Sequence, residues 1–263
     1  MESLSRFNRL TSTFIDHHLH EDNYLKQVIK TVNQNAHFEA EMENVQDVQK
    51  EMAKASFINQ CEKNMVVTLP LLLRINNKKM ILERYQLNNG LCQALNFAFS
   101  CFREIANDFH LNANNLSDDD FSVILQGMCE LKSVTRLSYC HNAFGHKSLY
   151  SLMPILCKSA SAKNSLREIH LLHCKMTSKV SNDLLFALNQ TKNYIRSLSL
   201  VNVNLNHSNY KELMTLIKSS RHLQELDISW NGLRCHQMYE IIDVLADNRM
   251  LQDLNLSFNN FHD

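Results

Sequence analysis

The sequence predicts an α/β solenoid, in which short strands and helices alternate in repeated units, preceded by an all-helical N-terminal region. Three observations predict this fold. An apolar motif returns at a nearly constant interval, each copy alternates apolar and polar residues as a strand does, and each copy is followed by apolar residues at helical spacing. The 263 residues are 44% apolar and include only 4 glycines and 2 prolines, which suits a fold rich in helices.

The motif is clearest at residues 223–233, LQELDISWNGL, which has the form Leu-x-x-Leu-x-Ile-x-x-Asn-x-Leu. Alternation in Leu226-x-Ile228 points both side chains to one face of a short strand, and the Asn231 amide can hydrogen-bond the backbone of the turn. In six copies, the residues at the Asn position are 28, 32, 29, 28 and 28 residues apart. These residues are Asn114, Asn142, Cys174, Val203, Asn231 and Asn259.

Two of the six copies lack the asparagine. Cys174 suits a buried turn that needs a small, weakly polar side chain. The Val203 side chain cannot form a hydrogen bond, so the predicted ladder of Asn114, Asn142, Cys174, Asn231 and Asn259 has one gap.

The segment after each strand has helical periodicity. An i, i+4 apolar pair lies ten and fourteen residues after the Asn position in each complete copy. The pairs are Ile124/Met128, Leu152/Leu156, Leu184/Leu188, Leu213/Ile217 and Ile241/Leu245. One strand and one amphipathic helix cannot bury both apolar faces alone, so the units are expected to stack.

These copies resemble the leucine-rich repeat family, and the 28 to 29 residue length with a full helix is similar to its ribonuclease-inhibitor subtype. The resemblance covers roughly residues 81–263, about six to seven units of which the C-terminal unit is incomplete. It implies a curved leucine-rich-repeat solenoid with parallel strands on the concave side and helices on the convex side. It also implies a binding role, because the family is overwhelmingly used for binding proteins.

Residues 1–80 lack the repeat, and apolar stripes predict helices near 4–15, 24–32 and 37–62. Two interpretations remain: the helices cap the open edge of the first repeat, or the third helix contacts a partner. After the apolar segment 65–74, Leu82, Tyr85 and Leu87 are interpreted as a degenerate opening repeat. Its spacing to the next copy is taken as 24 residues, shorter than the period.

The next helix is predicted to begin at the acidic run Ser117–Asp120, where Ser117 can cap the helix and Asp120 can close a capping box. A calcium site is the alternative, but the run lacks the ligand pattern and the central glycine of a calcium loop. The extra residues of the 32-residue unit fall at 159–165, SASAKNS, a predicted surface loop.

The sequence ends after the strand of the last copy, so no helix follows to cover Leu254 and Leu256. Three explanations are open: the chain is a fragment of a longer protein, another subunit covers this end, or the edge is exposed. The first is favoured, because an open apolar edge promotes aggregation.

Composition and motifs exclude several functional classes. The 27 basic and 27 acidic residues give no net charge, which argues against nucleic acid as a partner and against a polybasic membrane anchor. The most apolar run, at 65–73, is too short to span a bilayer, and the N-terminus has no signal peptide, so no membrane insertion is expected. Eight cysteines without CxxC pairs indicate reduced thiols in a cytoplasmic protein.

No phosphate loop, GxSxG, HExxH or kinase motif is present, so no enzyme activity, catalytic residue or cofactor is predicted. Two histidine clusters allow a metal site to be considered. His17, His18 and His20 beside Glu21 are more typical of a solvated helix end. His170, His173 and Cys174 lie on one strand whose alternation turns them apart, so no metal site is predicted.

The strand face is the predicted binding surface, because two residues per strand face outward and stacking places them in rows. One row is His110, Ser138, His170, Ser199, Asp227 and Asn255, the next is Asn112, Cys140, Leu172, Val201, Ser229 and Ser257, and at the strand ends lie Ala113, His141, His173, Asn202, Trp230 and Phe258. The predicted protein-binding residues are Trp230, Phe258, His141, His170, His173, Leu172, Val201 and Asp227. Trp230, the single tryptophan, is expected beside Phe258, with packing under its own loop as the alternative.

These expectations favour a non-enzymatic scaffold that binds one or more proteins within a hetero-complex. Its preferred setting is a cytoskeletal, ciliary or axonemal assembly, based on the family and on an asparagine-rich composition typical of AT-rich protist genomes. One alternative is a GTPase-activating protein similar to the Ran activator, although that class carries an acidic C-terminal region. The other is a ligand-sensing module of a larger signalling protein.

Overall fold

The computed structural model describes residues 42–68, 75–76, 78–101, 103–157, 166–191, 194–205 and 209–260, without the side chains of residues 42–47. Several sequence predictions therefore lie outside the described residues. They are the helices near 4–15 and 24–32, the cluster of His17, His18, His20 and Glu21, and the loop 159–165.

Helices and strands alternate along the described chain, which confirms the α/β prediction. The elements, in order, are α1 (Met42–Lys63), β1 (Ile75–Asn76), β2 (Lys79–Glu83), α2 (Asn89–Cys101), β3 (Asp108–Asn112), α3 (Asp118–Glu130), β4 (Arg136–Cys140), α4 (His146–Cys157), β5 (Glu168–Leu172), α5 (Ser178–Gln190), β6 (Ser197–Val201), α6 (Tyr210–Ser219), β7 (Glu225–Asp227), α7 (Cys235–Asp247) and β8 (Asp253–Asn255).

The strands form a single eight-stranded sheet in the order of the sequence. β1 and β2 pair antiparallel, and every later pair is parallel, with a helix in each connection from β2 onward. The motif leucines lie in register across the sheet: Leu137 pairs with Ile169, and Leu198 with Leu226, which pairs with Leu254. This repeat-like arrangement is compatible with a leucine-rich-repeat solenoid.

The helical pairs predicted from the sequence pack on one side of the sheet. Nine of their ten residues are buried in the common core, and Leu245 is partly buried against it. Phe121 of α3 stacks on Tyr139 of β4, with ring centroids 3.7 Å apart, so helix and strand of successive units share one aromatic contact. The apolar pattern therefore identified the core correctly.

The opening repeat is regular, and the predicted spacing of 24 residues is wrong. Leu82 pairs with Leu111, a separation of 29 residues. Tyr85 N donates to Asn114 Oδ1 at 2.8 Å, as Asn114 N donates to Asn142 Oδ1 at 3.0 Å. Tyr85 therefore occupies the Asn position, which its aromatic side chain obscures in the sequence.

Helix α1 covers the amino-terminal side of the repeats. It packs against α2 and buries Ala53, Phe57 and Cys61 in the common core. This is the contact that a capping helix makes. The domain boundary at residue 80 stays a prediction, and β2 of the sheet begins at Lys79.

The buried side chains at the Asn position join consecutive repeats. Asn142 Oδ1 accepts from the amides of Asn114 and Leu116 at 3.0 and 3.1 Å, and its Nδ2 donates to the carbonyls of Leu111 and Cys140 at 2.7 and 2.9 Å. Asn231 and Asn259 make equivalent bonds in their repeats. The sequence predicted a bond to the turn; the structure adds the bonds between repeats.

Cys174 substitutes for asparagine in this ladder. Its Sγ donates to Tyr139 O at 3.1 Å and accepts from the amide of Asn142. Burial raises the pKa of the Cys174 thiol to about 12, so the group stays protonated and keeps its donor. All eight cysteines are free thiols.

The last described repeat is less well covered than the others. Leu226 and Ile228 of the preceding unit are 2% and 0% exposed, whereas the equivalent Leu254 and Leu256 are only partly buried. The three explanations given for this edge stay predictions.

We predict that Asn142→Ala destabilises the protein by about 3 kcal/mol. The substitution removes four hydrogen bonds and leaves buried backbone donors without an acceptor, at about 1–3 kcal/mol for each unsatisfied group. Urea unfolding followed by circular dichroism measures the effect. Asn182→Ala, at a half-buried position on α5, is the control, and equal losses in the two variants would contradict the role of the ladder.

Candidate functional site

The outward-facing residues of the strands form the rows that the sequence predicts. Ser138, His170 and Ser199 are register partners on β4, β5 and β6, and Cys140, Leu172 and Val201 are partners one row further along the same strands. The structure also shows a third row that the sequence analysis missed, at the amino ends of the strands. It contains Asp108, Arg136, Glu168, Ser197, Glu225 and Asp253.

One residue per repeat, directly before the Asn position, has a left-handed backbone. These residues are Arg84 (φ 60), Ala113 (φ 52), His141 (φ 55), His173 (φ 52), Asn202 (φ 51), Trp230 (φ 60) and Phe258 (φ 57). In the repeats before the last, the conformation is held by a hydrogen bond to the next repeat, for example from the His141 amide to Leu172 O at 2.9 Å and from the Trp230 amide to Ser257 O at 3.1 Å. The seven side chains therefore follow one another along the carboxyl edge of the sheet.

Trp230 and Phe258 are the exposed aromatic pair of this edge row. Their rings stack with centroids 4.3 Å apart and planes 18° apart. Trp230 is 50% exposed and Phe258 is 68% exposed. The expected adjacency is confirmed, and Trp230 is not buried beneath its own loop.

The edge row continues with a second stacked pair. The rings of His141 and His173 stack, with their centroids 4.9 Å apart and their planes 4° from parallel. Asn202 Nδ2 lies 3.1 Å from His173 Nδ1, which links the histidines to the next repeat. The histidine pair and the Trp230–Phe258 stack thus lie in one line with Asn202 between them.

Two of the predicted binding residues differ in accessibility from the expectation. Leu172 is half-buried, and Val201 is only 4% exposed. The interpretation of Val201 as part of an exposed apolar patch is therefore wrong. His170 is half-buried and its Nδ1 lies 2.8 Å from Ser199 Oγ, so it is held within its row.

Charges on the central strands are paired with one another. The Arg136 guanidinium is hydrogen-bonded to Glu168 and lies 3.4 Å from Asp108 Oδ2. These contacts raise the pKa of Arg136, and the Arg136 hydrogen bond holds the pKa of Glu168 below its usual value. His110 lies 3.0 Å from Asp108, yet burial lowers its pKa. The central part of the face therefore offers little uncompensated charge.

The acidic run before α3 has a structural role. Ser117 and Asp120 form the predicted capping box. Asp118 reaches the next repeat, where it accepts from the amides of Gly145, Lys147 and Ser148 at 2.7, 3.1 and 2.9 Å and so caps α4. A side chain at Gly145 would approach Asp118 to 2.4 Å, which explains the glycine. No feature of the sequence indicates this contact between repeats.

A cleft lies at the amino ends of β2–β4. It has a volume of about 390 Å³ and is lined by Lys78, Arg103, Glu104 and Lys132, among others. Lys132 pairs with Glu104 at 2.6 Å and Arg103 with Glu130 at 3.6 Å. Most of its charge is therefore neutralised internally.

A comparison of the chain with protein-family models and with curated proteins finds no match. Among the described residues, no three or more histidine, cysteine, aspartate or glutamate side chains gather as a metal ion would need. No helix in the described ranges has the length and apolarity needed to cross a membrane.

We predict that Asp118 makes the protein more stable at neutral than at acidic pH. Partial burial opposes its ionisation, but hydrogen bonds from Ser148, Gly145 and Lys147 outweigh burial and lower its pKa. The stabilisation is therefore present above the unfolded pKa of about 3.9 and is lost as the pH falls through the lower folded value. Asp118→Asn should cost about 1–2 kcal/mol at pH 7 and flatten the dependence of unfolding free energy on pH below about 4.

Urea unfolding from pH 7 to pH 3 tests this prediction. Asp243→Asn, on the exposed side of α7, changes the charge equally and is the control. A pH dependence that is unaltered in Asp118→Asn would show that the contact carries no such linkage.

Proposed function

We propose that the chain is a curved leucine-rich-repeat solenoid, similar to the ribonuclease-inhibitor subtype, that works as a non-enzymatic scaffold for protein–protein interaction. The observation that carries the proposal is the exposed Trp230–Phe258 stack at the carboxyl edge of the sheet. Paired exposed aromatic side chains are typical of binding hot spots, where a few large residues supply most of the affinity.

The backbone at these two positions supports a binding role. A left-handed conformation is disfavoured for residues with a Cβ, and glycine or asparagine adopts it at lower cost. Trp230 and Phe258 nevertheless occupy it, and Asn202 shows that a polar residue fits the equivalent position. Because the repeat sets this conformation whatever the side chain, large aromatic side chains that stay exposed there are best explained by a contact with another molecule.

The shape of the face favours a macromolecular partner. The rows lie on the outward side of a continuous sheet, and the edge row extends across seven repeats. Small-molecule sites are concave and bury most of their ligand, whereas an open face suits a protein surface or an extended segment. We place the scaffold in a hetero-complex, with a cytoskeletal or ciliary assembly as the setting that the family resemblance favours.

We predict that the double variant Trp230→Ala, Phe258→Ala loses its principal partner without unfolding. A hot-spot aromatic contributes about 2 kcal/mol or more, so affinity should fall at least about 30-fold even if only one of the two residues is a hot spot. Ala113 occupies the equivalent position in its own repeat, so the backbone accepts alanine. Affinity capture from cells followed by mass spectrometry measures the loss, and the thermal midpoint checks the fold.

The control is Tyr150→Ala, Phe186→Ala. These residues are 72% and 51% exposed on α4 and α5, so a comparable aromatic area is removed from the helical side. Loss of the same partner in the control alone would assign the interface to the helices, and retention of every partner by both variants would remove the support for this surface.

A further inference from the structure

We propose that the Trp230–Phe258 stack and the strand face beside it bind a basic, arginine-containing segment of a partner protein. This inference rests on the proposed function and adds the chemistry of the partner. It depends on the distribution of charge around the stack, which differs from that of the chain as a whole.

The strands next to the stack carry only negative charge. Glu225 and Asp227 lie on β7 and Asp253 lies on β8, where Glu225 pairs in register with Asp253. Leu226, between the two β7 carboxylates, is buried, so both acidic residues belong to the opposite, outward face. The described strands β6, β7 and β8 contain no lysine or arginine.

These carboxylates are available to a partner, unlike those on the central strands. Glu225 and Asp253 are exposed, and neither forms an ion pair within the described ranges. Asp227 is held in place, because Oδ1 accepts from the Ser229 amide and Oδ2 accepts from Asn255 Nδ2, each at 2.9 Å. On β4, by contrast, Arg136 already forms ion pairs with the carboxylates of Asp108 and Glu168 on the neighbouring strands.

Arginine fits both components of this surface. Its planar guanidinium stacks on aromatic faces, with tryptophan the strongest partner, and it also forms paired hydrogen bonds with carboxylates. Trp230 follows Asp227 by three residues, which is about 10 Å of extended chain, so one short segment can contact both. An acidic segment or a nucleic acid backbone would be repelled by the same carboxylates.

Trp230 is the single tryptophan of the chain, so its fluorescence reports this site alone. The probe is a peptide of alternating arginine and glycine, and its control is the same peptide with citrulline, which keeps the shape and removes the charge. We expect saturable quenching or a spectral shift with the arginine peptide, binding at least about tenfold weaker with citrulline, and weakening as salt is raised. Equal binding of both peptides would overturn the proposal.

A pair of charge variants locates the attraction. Glu225→Gln, Asp253→Asn removes two carboxylates from the amino ends of the strands that lead to the stack, about 16 Å of extended chain from the rings. Asp243→Asn, Asp247→Asn removes two exposed carboxylates from α7 in the same part of the chain. We expect the first variant to bind the arginine peptide about threefold or more weakly and the second to bind it normally. Equal weakening would show unspecific attraction and would contradict a site on the strand face.

The two proposals can fail separately. If the arginine peptide does not bind, while the double alanine variant of Trp230 and Phe258 still loses its cellular partner, the surface is correct and its partner is not basic. If the double variant keeps every partner, the surface itself is wrong. A concentration-dependent dimer in analytical ultracentrifugation that the double variant abolishes would assign the face to a second copy of the chain and overturn the basic partner.

Discussion

The side-chain hydrogen bonds at the Asn position are the interaction on which the rest of the structure depends. Each strand–helix unit ends its strand in a turn whose amides would otherwise be buried without an acceptor. Asn142 accepts two such amides from the preceding unit and donates to carbonyls of that unit and its own. One side chain thus satisfies the turn and fixes the distance to its neighbour, so the order of the strands follows the order of the sequence.

The same turn determines where functional side chains can lie. The residue before the Asn position is left-handed in every repeat from Ala113 to Phe258, even before Val203, which has no side-chain hydrogen bond to offer. From Ala113 to Trp230, a backbone hydrogen bond to the next unit holds this residue in place. A position that is structurally fixed, points away from the core and recurs in every unit can vary in side chain without altering the fold. Ala113 and Trp230 occupy equivalent positions with the same backbone conformation and differ only in their side chains.

Much of this architecture was predictable because its cause is periodic. The spacing of Leu226, Ile228 and Asn231 recurs often enough to reveal the strands, the helices and the adjacency of Trp230 and Phe258. Contacts between non-equivalent positions were not predictable. Nothing in the sequence indicates that Asp118 caps the helix of the following repeat, because this bond depends on how close the first turns of α3 and α4 lie to each other.

Accessibility was also harder to predict than position. Val201 and Leu172 lie side by side as expected, but Val201 is buried and Leu172 is half-buried. The alternation of apolar and polar residues along a strand indicates on which face of the sheet a side chain lies. The exposure of that side chain also depends on the size of the residues around it. Tyr85 shows the reverse case, since a bulky residue concealed a regular position that backbone hydrogen bonds make evident.

Net charge is a poor guide to the partner when charge pairing varies along a repeat array. The chain is neutral as a whole, and the central strands are locally neutral because Arg136 lies between Asp108 and Glu168. Stacking places equivalent positions about 4.8 Å apart, so a cation on one strand pairs directly with carboxylates on its two neighbours. Glu225 feels the Arg136 charge only through a longer-range attraction and, like Asp253, forms no ion pair within the described ranges, which leaves negative charge on the last strands, where the exposed aromatic rings also lie.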